Sequence, residues 1–335
     1  MAKKVRVGII GVGNMAFKHI KAYKKLKNVE IMGVAGKTKD HVASLCRKTN
    51  IQEGYTDYKK LLLDNPDAVS IATPAHTHAK ISVDCFKNGC HVLCEKPMSM
   101  DAKEAISMNT AANKAKKTLM IGFNIRFTDT FMKAKSMIDK NAIGNVKLAW
   151  FRGSGNFQKK EWYLDKNTGG GITLESSIHK IDWLRWITNS EAEEVYAQTI
   201  DDVLGLGINN NEWIVIRFKN NALGIIGSSY TFNALSDDIG VIGSKKCLGI
   251  RNGNVIIKDF RKRASSLDRL LYCVPNFIPD VKLFFNSSIN KEIEHFINCI
   301  IKNKKPAVTG EDGLRSIEIA EAALKSSDTG KPVRI

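Results

Sequence analysis

Val5-Arg-Val-Gly-Ile-Ile-Gly11-Val-Gly13-Asn-Met-Ala16 is the stretch on which the fold turns. A short β-branched run leads into two glycines one residue apart and then into residues that favour a helix. The spacing predicts a strand over Val5–Ile10, a turn at Gly11 and a helix from Met15 to Lys27. Each small residue answers a physical need. Gly11 permits the tight turn, Gly13 lets backbone approach a pyrophosphate, and Ala16 lets helix and strand pack closely. Free N–H groups at the helix start would face the anion. Gly11, Gly13, Asn14 and Met15 are therefore candidate contacts to a dinucleotide. The same stretch superficially looks like a secretory leader. Gly8, Gly11 and Gly13 break its apolar run, so the strand is preferred and a cytoplasmic protein is expected.

Outward from this motif, apolar strands alternate with helical segments to about residue 125. Strands are expected at Glu30–Ala35, Ala68–Ile71, His91–Cys94 and Leu119–Gly122, with helices near Asp40–Thr49, Ala79–Lys87 and Asp101–Ala115. This alternation predicts an α/β dinucleotide-binding domain over residues 1–125, with a parallel sheet covered on both faces. Beyond it the texture changes. Val146–Gly153, Val195–Asp202, Trp213–Phe218, Leu223–Phe232 and Val255–Phe260 read as strands of a mostly antiparallel sheet. Helices are expected near Ser177–Ile187, Lys291–Ile301 and Glu311–Leu324. The second region, 126–335, is thus an α+β domain, with a C-terminal helix free to pack back on the first.

Composition bounds the partners. The 335 residues carry a net charge of +17, with 39 Lys against 12 Arg. The excess is spread along the chain without an Arg-rich or aromatic-interleaved stretch, so a nucleic-acid role is not expected. No apolar run approaches the ~20 residues that span a bilayer, and no membrane role is expected. Seven cysteines without a secretion signal point to reduced thiols. Cys90, His91 and Cys94 have a spacing that a metal could use, yet they sit in a run that reads as a buried strand. No metal is expected there, nor at His76 and His78.

The cofactor's identity turns on the end of the second strand. An NAD site places a carboxylate about 20 residues after the glycines, on the ribose 2′-OH. Here Gly36 stands in that place, and Lys37 and Thr38 follow. The acid that would repel a 2′-phosphate is gone and a cation is supplied, so NADP is expected, with NAD the alternative.

Two further segments carry chemistry. Glu95-Lys96-Pro97 follows a parallel strand at its carboxyl end, where ligands bind in open α/β sheets. A proline there fixes a turn that aims Lys96, and a lysine in a cleft is a plausible proton carrier. Gly169-Gly-Gly171-Ile-Thr-Leu-Glu175-Ser-Ser-Ile-His179-Lys-Ile-Asp182 places Glu175 and His179 four residues apart, on one face if helical. A histidine beside a carboxylate can relay a proton near neutral pH. A Glu175–His179 metal site lacks a third ligand.

Taken together these residues resemble the Gfo/Idh/MocA oxidoreductases, of the glucose–fructose oxidoreductase and inositol dehydrogenase type. The resemblance runs end to end. It rests on Gly11–Ala16, Asp67-Ala-Val-Ser-Ile-Ala-Thr-Pro74 with His78, and Asn88-Gly-Cys-His-Val-Leu-Cys-Glu-Lys-Pro97. It continues through Gly122-Phe-Asn-Ile-Arg-Phe127, Gly169–Asp182 and Gly310-Glu-Asp-Gly-Leu-Arg315. It implies a Rossmann domain, an open-faced sheet used for homodimer or homotetramer contacts, and hydride transfer between nicotinamide and a sugar, polyol or nucleotide sugar. By that resemblance Lys96, His179 and Glu175 are the catalytic set. Gly36, Lys37, Thr38, Thr73, Pro74, His78, Glu95, Lys96 and Asn124 join the cofactor site. Arg126, Trp162, Lys96, Glu175 and His179 meet the substrate, although Arg126 could equally be a core ion-pair partner. Three positions depart from the pattern: Glu175 for aspartate, Ser177 for glycine, and Trp162-Tyr163 for a Trp-Arg pair. Two other uses of the architecture stay open, a redox-neutral enzyme with a held nicotinamide and a non-catalytic sensor.

Overall fold

β1 (Val5–Ile10) lies inside a six-stranded parallel sheet of order β3-β2-β1-β4-β5-β6. The other strands are β2 (Val29–Ala35), β3 (Gly54–Tyr55), β4 (Ala68–Ile71), β5 (His91–Glu95) and β6 (Leu119–Gly122). The protein is seen in a computed structural model that describes residues 4–154, 165, 168–201, 205, 207–231, 237–251, 254–259 and 281–335. Helices α1 (Asn14–Tyr23), α2 (Lys39–Thr49), α3 (Tyr58–Leu63), α4 (His78–Lys87) and α5 (Ala102–Ala115) connect the strands. Every residue of β4 and β6 is buried, as expected of a sheet covered on both faces. Val7, Ile9, Val69, Ile71, Val92, Leu93, Met120 and Ile121 form its fully buried centre. Each such side chain contributes about 1.5–3 kcal/mol over an exposed one.

The chain divides into two compact units. The first holds residues 1–127, 167–169 and 285–317, and the second holds 128–166, 170–284 and 318–335. In the second unit, α6 (Asp129–Asp139) leads to β7 (Val146–Ser154). One turn of π-helix (Thr173–Ser177) runs straight into α7 (Ile178–Thr188). The remaining strands are β8 (Ala192–Asp201), β9 (Asn209–Phe218), β10 (Leu223–Ser229), β11 (Asp238–Gly243), β12 (Cys247–Arg251), β13 (Asn254–Lys258) and β14 (Val333–Arg334). Two long helices, α8 (Val281–Ile301) and α9 (Gly310–Thr329), complete the order.

The eight-stranded sheet runs β13-β12-β11-β7-β10-β9-β8-β14 and is antiparallel except where β7 pairs with β10. A parallel pair needs a crossover, and α7 lies within it, packed on β7 and β10. Trp183 of α7 is fully buried, edge-on to Phe131 and Phe151. The opposite face is open: along β9, Ile214, Ile216 and Phe218 point in, while Trp213 and Val215 point out.

Several elements depart from expectation. The first helix ends at Tyr23 rather than Lys27, because Lys25 and Leu26 donate three residues back and tighten the chain toward β2. The strand expected over Leu223–Phe232 ends at Ser229, where Ser229 bonds the Thr231 N–H and turns the chain. α3, α6, β3, β11, β12 and β14 are additional to the elements that the sequence pattern predicts. Asp238–Gly243 and Cys247–Arg251 carry glycines that blur the alternation, and only cross-strand pairing with β7 and β13 fixes them as strands. No described helix is long and apolar enough to cross a membrane.

Candidate functional site

The six-stranded sheet reverses its strand order between β1 and β4, and ligands bind beyond the carboxyl ends of the strands at such a point. Gly11 sits there with φ +123°, and a Cβ on it would lie 2.2 Å from the Ala72 carbonyl oxygen. No side chain can therefore replace its hydrogen without moving the turn. Gly13 is the N-cap of α1, with no side-chain cap and no acid in the first turn. A Cβ at Gly13 would meet nothing within 4 Å. An open, uncapped helix start flanked by Asn14 and Met15 fits a pyrophosphate. These features fit the dinucleotide that the sequence implies.

At the end of β2, Gly36 donates its N–H to the Tyr55 carbonyl. A Cβ on Gly36 would fall 2.6 Å and 3.0 Å from the two methyls of Val12. The missing acid is thus a matter of space as well as charge. Lys37 and Thr38 are exposed, and Thr38 caps α2 without using its side chain.

Thr73 and Pro74 lie in the loop after β4, and β5 ends at Glu95, followed by Lys96 and a cis Lys96–Pro97 peptide. His78 straps the two loops together, with Nδ1 2.8 Å from the Pro97 carbonyl and Nε2 2.8 Å from that of Thr73. Lys96 is half-buried. Glu95 turns inward: His19 Nε2 lies 2.9 Å from its Oε1, and its Oε2 accepts the Lys96 N–H at 3.3 Å. Burial alone would raise this carboxyl. His19's hydrogen bond and charge, with Lys96 and His78, hold it below the usual carboxylate range. Asn124, after β6, donates to Ser288 Oγ at 3.3 Å. Arg126 is buried against Asp312 at 3.1 Å and donates to the Ala307 carbonyl. Of its two expected roles, the ion pair is the one these contacts carry.

Glu175 and His179 belong to the second unit. In the run 172–185 only Glu175, Ser176 and His179 escape full burial, so the two candidates share one partly exposed stripe. The helix expected near Ser177–Ile187 is α7, and the residues just before it form a π-turn, a feature frequent at functional sites. Trp162 and Tyr163 lie outside the described residues.

The chain matches the model of an oxidoreductase family with an NAD-binding Rossmann fold over residues 5–123 and that family's C-terminal alpha/beta domain over 135–335. The chain belongs to the Gfo/Idh/MocA oxidoreductase family. It is 29% identical to a myo-inositol 2-dehydrogenase of Thermotoga maritima, over 99% of this chain and 98% of that one. It is 27% identical to a scyllo-inositol 2-dehydrogenase (NAD(+)) of Bacillus subtilis, over 100% and 97%. A crystal structure of a probable dehydrogenase from Thermotoga maritima superposes with a TM-score of 0.83 at 26% identity, over 98% of each chain.

In this Gfo/Idh/MocA chain two residues near the β5 turn escaped the sequence. His19 is fully buried between Ser70 Oγ (2.8 Å) and Glu95. Glu292 of α8 is fully buried, and neither carboxylate oxygen has a hydrogen-bond partner among the described residues. Burial, then the Glu95 charge, pushes the Glu292 carboxyl well above its ordinary value. Their signal was a polar residue inside an apolar stripe: Ala16, His19, Ile20 and Tyr23 on α1, and Ile289, Glu292, Ile293 and Phe296 on α8. Among the described residues His19, Glu95 and Glu292 are the group with metal-ligand spacing. His19 and Glu95 already satisfy each other, so the group reads as a buried charge cluster. Cys90 and His91 hold backbone partners, Pro66 O and Thr118 N.

Proposed function

We propose that the chain catalyses reversible hydride transfer between nicotinamide C4 and a carbinol or keto carbon of a sugar-like substrate, with cyclic polyols of the inositol type the first class to test. The observation that carries this is the Glu95-Lys96-Pro97 turn at the carboxyl end of β5, on the same edge of the parallel sheet as the Gly11 turn after β1, in a chain aligned end to end with inositol dehydrogenases. A nicotinamide dinucleotide held at the Gly11–Met15 turn would supply the hydride acceptor for the alcohol carbon. Lys96 hydrogen-bonds the reacting oxygen and favours its developing negative charge. His179 takes the hydroxyl proton as the carbonyl forms, and returns it in the reverse direction. Glu175 supports the imidazolium that results.

The cofactor reading is NADP. Gly36 leaves no carboxylate to oppose a 2′-phosphate, and Lys37 with the uncommitted Thr38 hydroxyl can bind one. The rival, NAD, has in its favour the Bacillus subtilis relative, a scyllo-inositol 2-dehydrogenase (NAD(+)). A homo-oligomer formed through the open sheet face is part of the same reading. That face exposes Trp213, Val215, Tyr196, Ile200, Leu223 and Ile242 and carries a groove of ≈ 240 Å³ lined by Leu148, Trp150, Arg152, Trp213 and Ile225. The six described cysteines are free thiols, which suits a cytoplasmic protein.

The test is absorbance of reduced nicotinamide with NADP or NAD and a panel of inositols, sugars and nucleotide sugars. Turnover that falls by about 10²–10⁴ in Lys96→Met and His179→Ala is expected. Wild-type turnover in both variants would overturn the assignment.

A further inference from the structure

Beneath the Glu175–His179 stripe, the second unit holds a buried polar chain that the hydride and proton transfers do not use. Glu212 of β9 is 2% exposed, and both its carboxylate oxygens are taken by the π-turn. Thr173 Oγ1 donates to Oε2 at 2.5 Å, and Ser177 Oγ donates to Oε1. Thr173 and Ser177 are the first and last residues of that turn, and Glu175 stands midway between them. Ser177 also meets Ser228 Oγ, on the β10 residue directly opposite Glu212 in the sheet. Ser177 has one hydroxyl proton and gives it to Glu212, so Ser228 must donate to Ser177. Ser228 in turn accepts from Lys180 Nζ at 2.7 Å. The chain therefore runs one way, from ammonium through two hydroxyls to carboxylate.

Lys180 is the residue after His179 and is itself 5% exposed. Its ammonium also donates to the carbonyls of Gly153 (3.0 Å) and Gly227 (3.3 Å) and lies 5.7 Å from the Phe151 ring centroid. A Cβ at residue 153 would fall 1.9 Å from an Asp237 carboxylate oxygen, so glycine there is what admits Asp237 to this corner. Buried charges are kept only when paired and hydrogen-bonded. Here two of them are pinned on either side of the turn, and each is joined to it by directional bonds. The Ser177 hydroxyl is the group that links the turn to both charges.

We infer that Glu212 and Lys180 are positioning residues: through Thr173, Ser177 and Ser228 they fix the π-turn and the start of α7, and so the direction in which Glu175 and His179 project. Neither touches the reacting atoms. A helix start held at three points cannot rotate, and a displacement of about 1 Å at a proton-transfer group costs about 100-fold in rate. The inference rests on the dehydrogenase reading for its rate measurements, so it is given a second readout that does not.

The experiment compares Glu212→Ala, Glu212→Gln, Lys180→Met and Ser177→Ala with wild type. Glu212→Ala and Lys180→Met should lower kcat by about 10- to 100-fold with cofactor affinity unchanged to within about twofold, and Glu212→Gln, which still accepts hydrogen bonds, should recover most of the rate. Values of kcat per folded enzyme within about twofold of wild type in both Glu212→Ala and Lys180→Met would overturn the inference. In the same proteins the His179 imidazole is titrated by NMR. A midpoint displaced in Glu212→Ala and restored in Glu212→Gln supports the inference even if wild type turns over no compound in the panel, an outcome that counts against the dehydrogenase reading alone. Identical midpoints in all variants overturn it. Should Glu212→Ala or Lys180→Met fail to fold, Ser177→Ala removes one hydroxyl and carries the same two criteria.

Discussion

Replacing Lys37 with glutamate tests which dinucleotide the site is built for. Lys37 is exposed at the end of β2, so its field acts through solvent. A unit pair ~4 Å apart in water is worth about 1 kcal/mol. A phosphate monoester carries about −1.5 to −2, and Lys37→Glu changes the local charge by two units. The unscreened loss is then about 3–4 kcal/mol, reduced to roughly 2 kcal/mol with a Debye length of about 10 Å at 0.1 M salt. NADPH should bind about 30-fold more weakly, and NADH, with a neutral 2′-hydroxyl, about the same as before. Gly36→Asp is the steric counterpart. Its Cβ would meet the Val12 methyls at 2.6 Å and 3.0 Å. The single change should destabilise by about 1–3 kcal/mol, and Val12→Ala alongside it should relieve the clash and turn preference toward NADH. The assay is quenching of nicotinamide fluorescence at two salt concentrations, with thermal melts for the Gly36 variants. Wild type that binds NADH more tightly than NADPH, with that order and its salt dependence unchanged in Lys37→Glu, would refute the reasoning.

Three further outcomes are expected. His19→Ala strands the buried Glu95 carboxylate and should cost about 3–5 kcal/mol at neutral pH, read as a lowered denaturant midpoint. Because the Glu95 carboxyl is held below its ordinary 4.5, the pair's stabilisation is complete above that pH and fades as pH falls through the lowered value. The variant's acid limb should be flatter, and a wild-type-like limb would contradict the pairing. Lys180, lowered by burial from 10.5 to about 8 against the opposing pull of Asp237 and Glu212, binds fewer protons folded than unfolded between those values. Stability should therefore rise with pH across that window by up to about 3 kcal/mol relative to Lys180→Met, whose own profile lacks this term. Chemical melts at pH 7.5 and 10 decide it, and parallel profiles would count against a buried ammonium. Trp213→Asp on the open sheet face should lower the mass measured by light scattering to that of a monomer, and an unchanged mass would place the interface elsewhere.

Much of the first unit was legible because its signals are local. The strand Val5–Ile10, the glycines and Ala16 lie within a dozen residues, and the physics of the turn needs nothing from elsewhere. The same holds for Glu95-Lys96-Pro97 and for the pairing of Glu175 with His179 on one stripe. Strands such as Val146–Ser154 were readable from alternation, while Asp238–Gly243 and Cys247–Arg251 were not, since glycine at Gly240, Gly243 and Gly249 hides the period and only their neighbours complete the pattern.

Tertiary structure alone decided what each motif leans on. His19 and Glu95 are separated by 76 residues, Ser177 and Glu212 by 35, and Arg126 and Asp312 by 186. The first exists because sheet order sets β1 beside β4, and β4 beside β5. The second exists because the β7–β10 crossover lays α7 on the other sheet, and the third because the start of α9 meets β6, where Met120 bridges Thr309. A sequence states which residues can pair; strand order and crossover determine which of them meet in a buried, low-dielectric place where pairing matters.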